Sequence, residues 1–126
     1  LNQAYPDDYA VMALYGQTLI TAHRAAEAVR FLKDYFSEYA KNINYLELYS
    51  QALGQAGKLA DAYQMRARAY VILGQKQAAI AQIETALQLK NLSTYDKTLL
   101  TAFLHNLQHD FRLNTKPSSK NKLLSS

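Results

Sequence analysis

The fold is decided by residues 57–79, which read GKLADAYQMRARAYVILGQKQAA. Glycine opens this stretch at Gly57 and returns at Gly74, and alanine follows five positions after each of them, at Ala62 and Ala79. Glycine favours the left-handed conformation in which many helices end. The stretch therefore predicts one helix that is bounded by two similar turns.

The same spacing extends towards the N terminus. The interval from His23 to Gly57 is twice that from Gly57 to Gly74, and Ala28 again follows five positions after His23. The longer interval matches the period of about 34 residues of the tetratricopeptide repeat (TPR), a pair of antiparallel helices that stacks on its neighbours. The spacing therefore predicts an all-α fold, a TPR-like solenoid of about six antiparallel helices wound as a right-handed superhelix. Solenoids of this kind present extended surfaces that bind other proteins.

Apolar residues at three- and four-residue spacing predict where these helices lie. Pro6, Asp7 and Asp8 favour the start of the first helix, and Ser93 with Asp96 resembles a capping box at the start of the last. We expect helices over residues 7–21, 24–39, 44–55, 60–73, 76–90 and from 93 onwards.

Three repeats, of which the second and third overlap, supply the large and small side chains of the TPR pattern. Small residues allow two helices to approach closely, so we expect Gly16 and Ala28 at a helix crossing. The helix over 60–73 is the second helix of repeat two and also the first helix of repeat three. The proline at the end of the TPR consensus is absent from all three repeats. An ordinary helical bundle with accidental spacing is the alternative. The matching positions are Met12, Gly16, Leu19, Ala28 and Leu32; Leu46, Ser50, Leu53, Ala62 and Arg66; and Tyr63, Ala67, Tyr70, Ala79 and Ile83.

Composition limits the function classes. Residues 1–110 hold ten basic and ten acidic side chains, so the net charge of +4 comes from Arg112, Lys116, Lys120 and Lys122. We expect one TPR-like domain over residues 1–111 and a basic, disordered tail over 112–126, with no nucleic acid as partner. No apolar run is long enough to insert into a membrane, and there are no cysteines. These residues contain no signal peptide, and the start at Leu1 instead of Met indicates a fragment of a longer protein, with any targeting signal upstream.

Three stretches carry a resemblance to a known family. They are YPDD at residues 5–8, the segment over 45–89, and a closing helix with a tyrosine near its start at Tyr95. Between Tyr5 and His109 the chain resembles the TPR region of periplasmic zinc metallopeptidases, the family of the β-barrel assembly-enhancing protease. The resemblance implies a periplasmic parent protease that assists the assembly or quality control of outer-membrane proteins. Its TPR region would contact the assembly machinery, its clients or the parent catalytic domain.

The catalytic HExxH motif of that family is absent from these 126 residues. Two histidines of that motif bind zinc and its glutamate is the general base. No catalytic residue carries over, so we expect this chain to be non-catalytic and to need no cofactor, with any zinc in a separate catalytic domain. A free-standing TPR adaptor or chaperone is the alternative function.

His105 and His109 are the candidate metal ligands. Their spacing of four places both rings on one helix face, but the sequence is HNLQH, with Asn106 where the protease motif has glutamate. Catalytic zinc also needs a third protein ligand, and Asp110 points elsewhere on the helix. We therefore expect an exposed pair and no metal site. A weak metal site, or an enzyme built on this pair, is the rival interpretation.

The resemblance also implies a binding groove, because the first helix of each TPR lines the concave surface. We expect an exposed Arg68 to grip a carboxylate of a bound protein segment through two parallel hydrogen bonds. We expect Tyr15, Tyr49, Tyr63 and Tyr70 in the core, and some of the tyrosines at helix ends (Tyr5, Tyr9, Tyr39, Tyr45 and Tyr95) at an interface. The predicted groove residues are Asn44, Glu47 and Gln51; Asp61, Gln64 and Arg68; and, from the first helix, Ala10, Ala13, Gln17 and Thr21.

Overall fold

The fold is all-α, as the spacing predicts. The computed structural model describes the backbone of residues 4–125 and the side chains of residues 8–109. Within that range there is no strand, and no helix is long and apolar enough to cross a membrane. The helices are α1 (Ala4–Thr21), α2 (Ala25–Lys33), α3 (Phe36–Tyr39), α4 (Ile43–Gln55), α5 (Leu59–Ile72), α6 (Lys76–Leu87) and α7 (Thr94–Ser125). Helix α7 continues through Ser125 into the predicted tail, while the division into a domain over 1–111 and a disordered tail over 112–126 stays a prediction.

Helices α1, α4 and α5 end in the same way. His23, Gly57 and Gly74 adopt positive φ angles of 62°, 83° and 79°. At each of them the amide donates to the carbonyl three residues back, and the next amide donates to the carbonyl five residues back at 2.8–2.9 Å. This pair of hydrogen bonds is the Schellman motif. The regular spacing of these three positions is thus confirmed in the backbone, as a repeated helix ending.

Small residues lie at the helix crossings, as predicted. Gly16 and Ala28 are buried, and a Cβ atom on Gly16 would lie 2.9 Å from Cδ2 of Leu32. Ala62 and Ala79 are buried at the equivalent places in α5 and α6. Because no bulky side chain intervenes at these positions, successive helices pack closely.

The predicted helix over 24–39 is wrong, because it is two helices. The amide of Tyr35 donates to the carbonyl of Leu32 at 3.0 Å, which tightens the last turn of α2. The hydroxyl of Tyr45 donates to the same carbonyl. Tyr45 is fully buried, so this contact fixes the break beneath α4. The chain then turns at Asp34 and starts α3 at Phe36.

Two groups of buried residues form the core of the described region. Helices α1, α2 and α4 build the first, around Leu32 and Leu46, and α6 and α7 build the second, around Ile83 and Leu100. Helix α5 contributes to both. Consecutive long helices pack on each other throughout, and α4 also contacts α1. The core is therefore a row of neighbouring contacts and not one central cluster.

Candidate functional site

The residues predicted to line one groove do not lie together. Glu47 and Gln51 of α4 line a cavity of about 370 Å³ with Arg66 of α5. Gln64 and Arg68 line a different cavity of about 480 Å³. Positions 66 and 68 of a helix are about 200° apart around its axis, so these cavities lie on opposite sides of α5. The predicted groove requires both α4 and α5 to be first helices of their repeats, whereas the two helices pack on each other.

The other predicted groove residues lie elsewhere. Asn44 is exposed at the start of α4, and Gln17 and Thr21 are exposed on α1. Asp61 lines a third cavity of about 370 Å³ with Asp96. Burial raises the pKa of the Asp61 carboxyl above its usual range, the carboxylate of Asp96 raises it further, and nearby lysines partly offset both effects. Asp61 is therefore separate from Arg68, although both belong to α5.

The cavity that holds Gln64 and Arg68 combines apolar walls with positive charge. We name it the α5–α7 cavity, since α5 and α7 form its two walls. Ile72 and Leu99 face it from these helices and are 40 % and 38 % exposed. Lys41 and Arg68 are the charged residues that line it, and no acidic residue does so among the side chains described. Its defining residues are Lys41, Gln64, Arg68, Ile72, Leu99 and Phe103.

Arg68 is partly buried between two aromatic rings, and the prediction of an exposed side chain is wrong. Its Cζ atom lies 5.5 Å from the centroid of Phe36 and 5.6 Å from that of Phe103. Both distances are within the range of cation–π attraction. The Nε atom is buried and has no hydrogen-bond partner among residues 8–109. Arg68 thus connects α3 and α7 across α5 and retains an unpaired donor.

The opposite side of α5 has different chemistry. The cavity over α4 and α5, which we name the α4–α5 cavity, is lined by Glu47, Gln51, Arg66 and Leu73 among others. Leu73 is 49 % exposed and follows Ile72 directly in the chain. The acidic Glu47 and the basic Arg66 give this cavity mixed charge. Neighbouring positions at the end of α5 therefore line two chemically different surfaces.

The two histidines form an exposed pair, as predicted. The rings of His105 and His109 are nearly parallel, with an interplanar angle of 5° and centroids 6.2 Å apart. Both side chains are exposed. In the region with described side chains, no three His, Cys, Asp or Glu residues are grouped so that they could hold a metal ion.

The tyrosines only partly follow their prediction. Tyr49 is buried as predicted, but Tyr15 is 52 % exposed and packs edge-to-face on Phe31 at 4.6 Å. Tyr45, which was predicted among the helix-end candidates for an interface, is instead fully buried, and its hydroxyl donates to the carbonyl of Leu32. Tyr95 is 72 % exposed and remains available to a partner.

Four of the six residues that define the α5–α7 cavity were not predicted from the sequence: Lys41, Ile72, Leu99 and Phe103. Leu99 and Phe103 lie four positions apart in the last predicted helix, and this helical spacing was the available signal. That spacing does not distinguish a buried face from the wall of an open cavity.

No protein-family model matches the chain, and no curated protein matches it.

Proposed function

We propose that this chain is a non-catalytic protein-interaction domain with a TPR-like solenoid arrangement. The repeated helix ending at His23, Gly57 and Gly74 is the observation that carries the proposal. The interval from His23 to Gly57 equals one TPR, a pair of helices, and the interval from Gly57 to Gly74 equals half of one, a single helix with its turn. Similar helix endings at these intervals are expected when helical pairs stack. The row of contacts from α4 to α7 also supports this arrangement, because each repeat of a solenoid contacts mainly its neighbours.

The parent protein in this proposal is a periplasmic zinc metalloprotease resembling the β-barrel assembly-enhancing protease. The resemblance over residues 5–109 supports this assignment, and it makes the chain the C-terminal interaction region. Its partners would be the outer-membrane assembly machinery, its client proteins or the parent catalytic domain. The alternative is a free-standing TPR adaptor or chaperone that acts in another pathway.

Photo-crosslinking tests the interaction function even when the partner is unidentified. A photoreactive amino acid is placed at Leu99 in the α5–α7 cavity, at Gln51 in the α4–α5 cavity, or at Glu84, which is exposed on α6 and lines neither cavity. Each variant is exported to the periplasm of a Gram-negative bacterium, irradiated, and its adducts are identified by mass spectrometry.

We expect discrete adducts at Leu99 or Gln51 that the Glu84 position does not give. Outer-membrane proteins or their assembly factors among the adducts would support the protease-associated function. Adducts with proteins of an unrelated pathway would favour the adaptor alternative. Equal, diffuse labelling at all three positions would contradict a role in protein binding.

A further inference from the structure

We propose that the α5–α7 cavity binds an extended peptide segment in which an aliphatic side chain lies next to a carboxylate. This inference rests on the proposed protein-binding function and adds the place and the chemistry of recognition. It differs from the predicted groove, because it uses the side of α5 that faces α7 and excludes Glu47 and Gln51.

The apolar walls account for the aliphatic part of the ligand. Ile72 and Leu99 line one cavity from two different helices, and each leaves more than a third of its surface exposed. Phe103 lies deeper and is partly buried. Removing this apolar surface from water favours binding of an apolar side chain. The volume of about 480 Å³ is in the range of small ligand sites.

The charge of the cavity accounts for the carboxylate. Lys41 and Arg68 line it, and none of its lining residues is acidic. The guanidinium of Arg68 is held in position by Phe36 and Phe103, so little side-chain freedom is lost when a ligand binds. Arg68 lines the cavity, and charge-assisted hydrogen bonds from a guanidinium to a carboxylate are among the strongest in proteins.

The same reasoning selects one side of α5 over the other. A carboxylate in the α4–α5 cavity would meet Glu47 as well as Arg66, and the like charge would oppose it. In the α5–α7 cavity both charged lining side chains, Lys41 and Arg68, are positive. An acidic and aliphatic segment is therefore expected to choose the face that contains Arg68.

A selection experiment with a matched pair of variants tests this inference. A phage-displayed library of random peptides is selected on the immobilised chain, and the dominant peptide is synthesised with a fluorescent label. Its affinity is measured by fluorescence anisotropy for the unmodified chain, for Ile72→Glu and for Leu73→Glu. These variants add the same charge at neighbouring exposed positions, but in different cavities. Circular dichroism establishes that each variant is folded.

We expect the selected peptides to carry Asp or Glu beside Leu, Ile or Val. Ile72→Glu should weaken binding by about tenfold or more, and Leu73→Glu by less than about twofold. Changing the acidic residue of the peptide to its amide should also cost about tenfold. In Arg68→Gln, where Lys41 is the remaining charge, the difference between the acid and the amide peptide should shrink to about threefold or less, which separates recognition of charge from a purely structural role of Arg68.

Two results would overturn the inference in distinguishable ways. If peptides bind and Leu73→Glu is the more damaging variant, or if the selected peptides lack acidic residues, the α5–α7 cavity is not the acidic-peptide site, while the protein-binding function stands. If the selection yields no peptide that binds the chain in solution, and crosslinking yields no specific adduct, the proposed function fails together with the inference.

Discussion

Replacing Gly16 by alanine tests how closely α1 and α2 cross. The new Cβ atom would lie 2.9 Å from Cδ2 and 3.3 Å from Cγ of Leu32. Leu32 is fully buried, so it cannot move without displacing its neighbours. Overpacking of this kind costs about 1–3 kcal/mol, whereas alanine in place of glycine within a helix gains about 0.5–1 kcal/mol. We expect the free energy of unfolding to fall by up to about 2 kcal/mol.

Gly54 provides the matched control, because it is a helical glycine with room beside it. The nearest atom to a Cβ on Gly54 is the Cβ of Ala62 at 3.9 Å, an ordinary contact distance. Gly54→Ala should therefore raise the free energy of unfolding by about 0.5–1 kcal/mol. Urea unfolding followed by far-UV circular dichroism measures both variants, and equal m values would show that only stability has changed.

A double-mutant cycle with Leu32→Ala isolates the contact. Leu32→Ala by itself should lower the free energy of unfolding by about 2–5 kcal/mol, and it removes the atoms that a Cβ on residue 16 would contact. In that background Gly16→Ala should become stabilising, as at Gly54, which gives a coupling energy of about 1–3 kcal/mol. If Gly16→Ala stabilises the unmodified chain as much as Gly54→Ala does, the crossing has room for a side chain, and the reasoning about small residues at helix crossings is wrong.

Four further predictions concern single residues. Gly57→Ala should lower the free energy of unfolding, measured in urea, by about 1–2 kcal/mol, because alanine is strained at a positive φ and nothing lies within 4 Å of the added Cβ. An unchanged free energy of unfolding would show that this backbone conformation is not strained for alanine. Tyr45→Phe should lower the free energy of unfolding by about 0.5–1.5 kcal/mol in the same assay, since the carbonyl of Leu32 loses one donor. An unchanged urea midpoint would show that this hydrogen bond does not stabilise the fold. Burial raises the folded-state pKa of Asp61, so the ionised carboxylate destabilises the fold at neutral pH, and this cost disappears as the pH falls. Asp61→Asn should therefore raise the melting temperature at pH 7, and the difference from the unmodified chain should shrink at acid pH. The chain should not cleave casein with or without zinc, and zinc-dependent cleavage that is lost in His105→Ala would refute the non-catalytic assignment.

The helix endings could be predicted from the sequence because their chemistry is local. His23, Gly57 and Gly74 each need only a short stretch of chain to close the Schellman motif. The spacing even continues beyond the prediction, since Asn91 follows Gly74 at the same interval that separates Gly57 from Gly74, and it has a φ of 60°. Asparagine tolerates this conformation better than most residues, so Asn91 was a signal in the sequence that the prediction did not use.

The break between α2 and α3 could not be predicted in the same way. Residues 24–39 keep a helical apolar spacing, and Asp34 and Tyr35 are acceptable within a helix. The decisive contact comes from Tyr45, whose hydroxyl donates to the carbonyl of Leu32 from 13 residues further along the chain. A pattern read along one segment does not contain a hydrogen bond supplied by another helix.

Arg68 illustrates why the candidate site depends on the same long-range contacts. The rings that hold it belong to Phe36 and Phe103, which are distant from it in the sequence on either side. The break before α3 brings one of these rings into position, and the packing of α7 brings the other. An exposed arginine was expected because spacing along α5 alone determines which face a residue occupies, but not what covers that face.

The two sides of α5 also explain why one helix matched two repeats. Met65 and Ala69 of α5 belong to the core built with α1, α2 and α4, whereas Ala67 belongs to the core built with α6 and α7. A helix that packs on both neighbours satisfies the small-residue pattern of both repeats, yet it cannot supply a single open groove. Its exposed end divides instead, with Ile72 on the side of Arg68 and Leu73 on the side of Glu47. A partner recognised through its carboxylate should therefore respond to a charge placed at one of these two adjacent positions and tolerate it at the other.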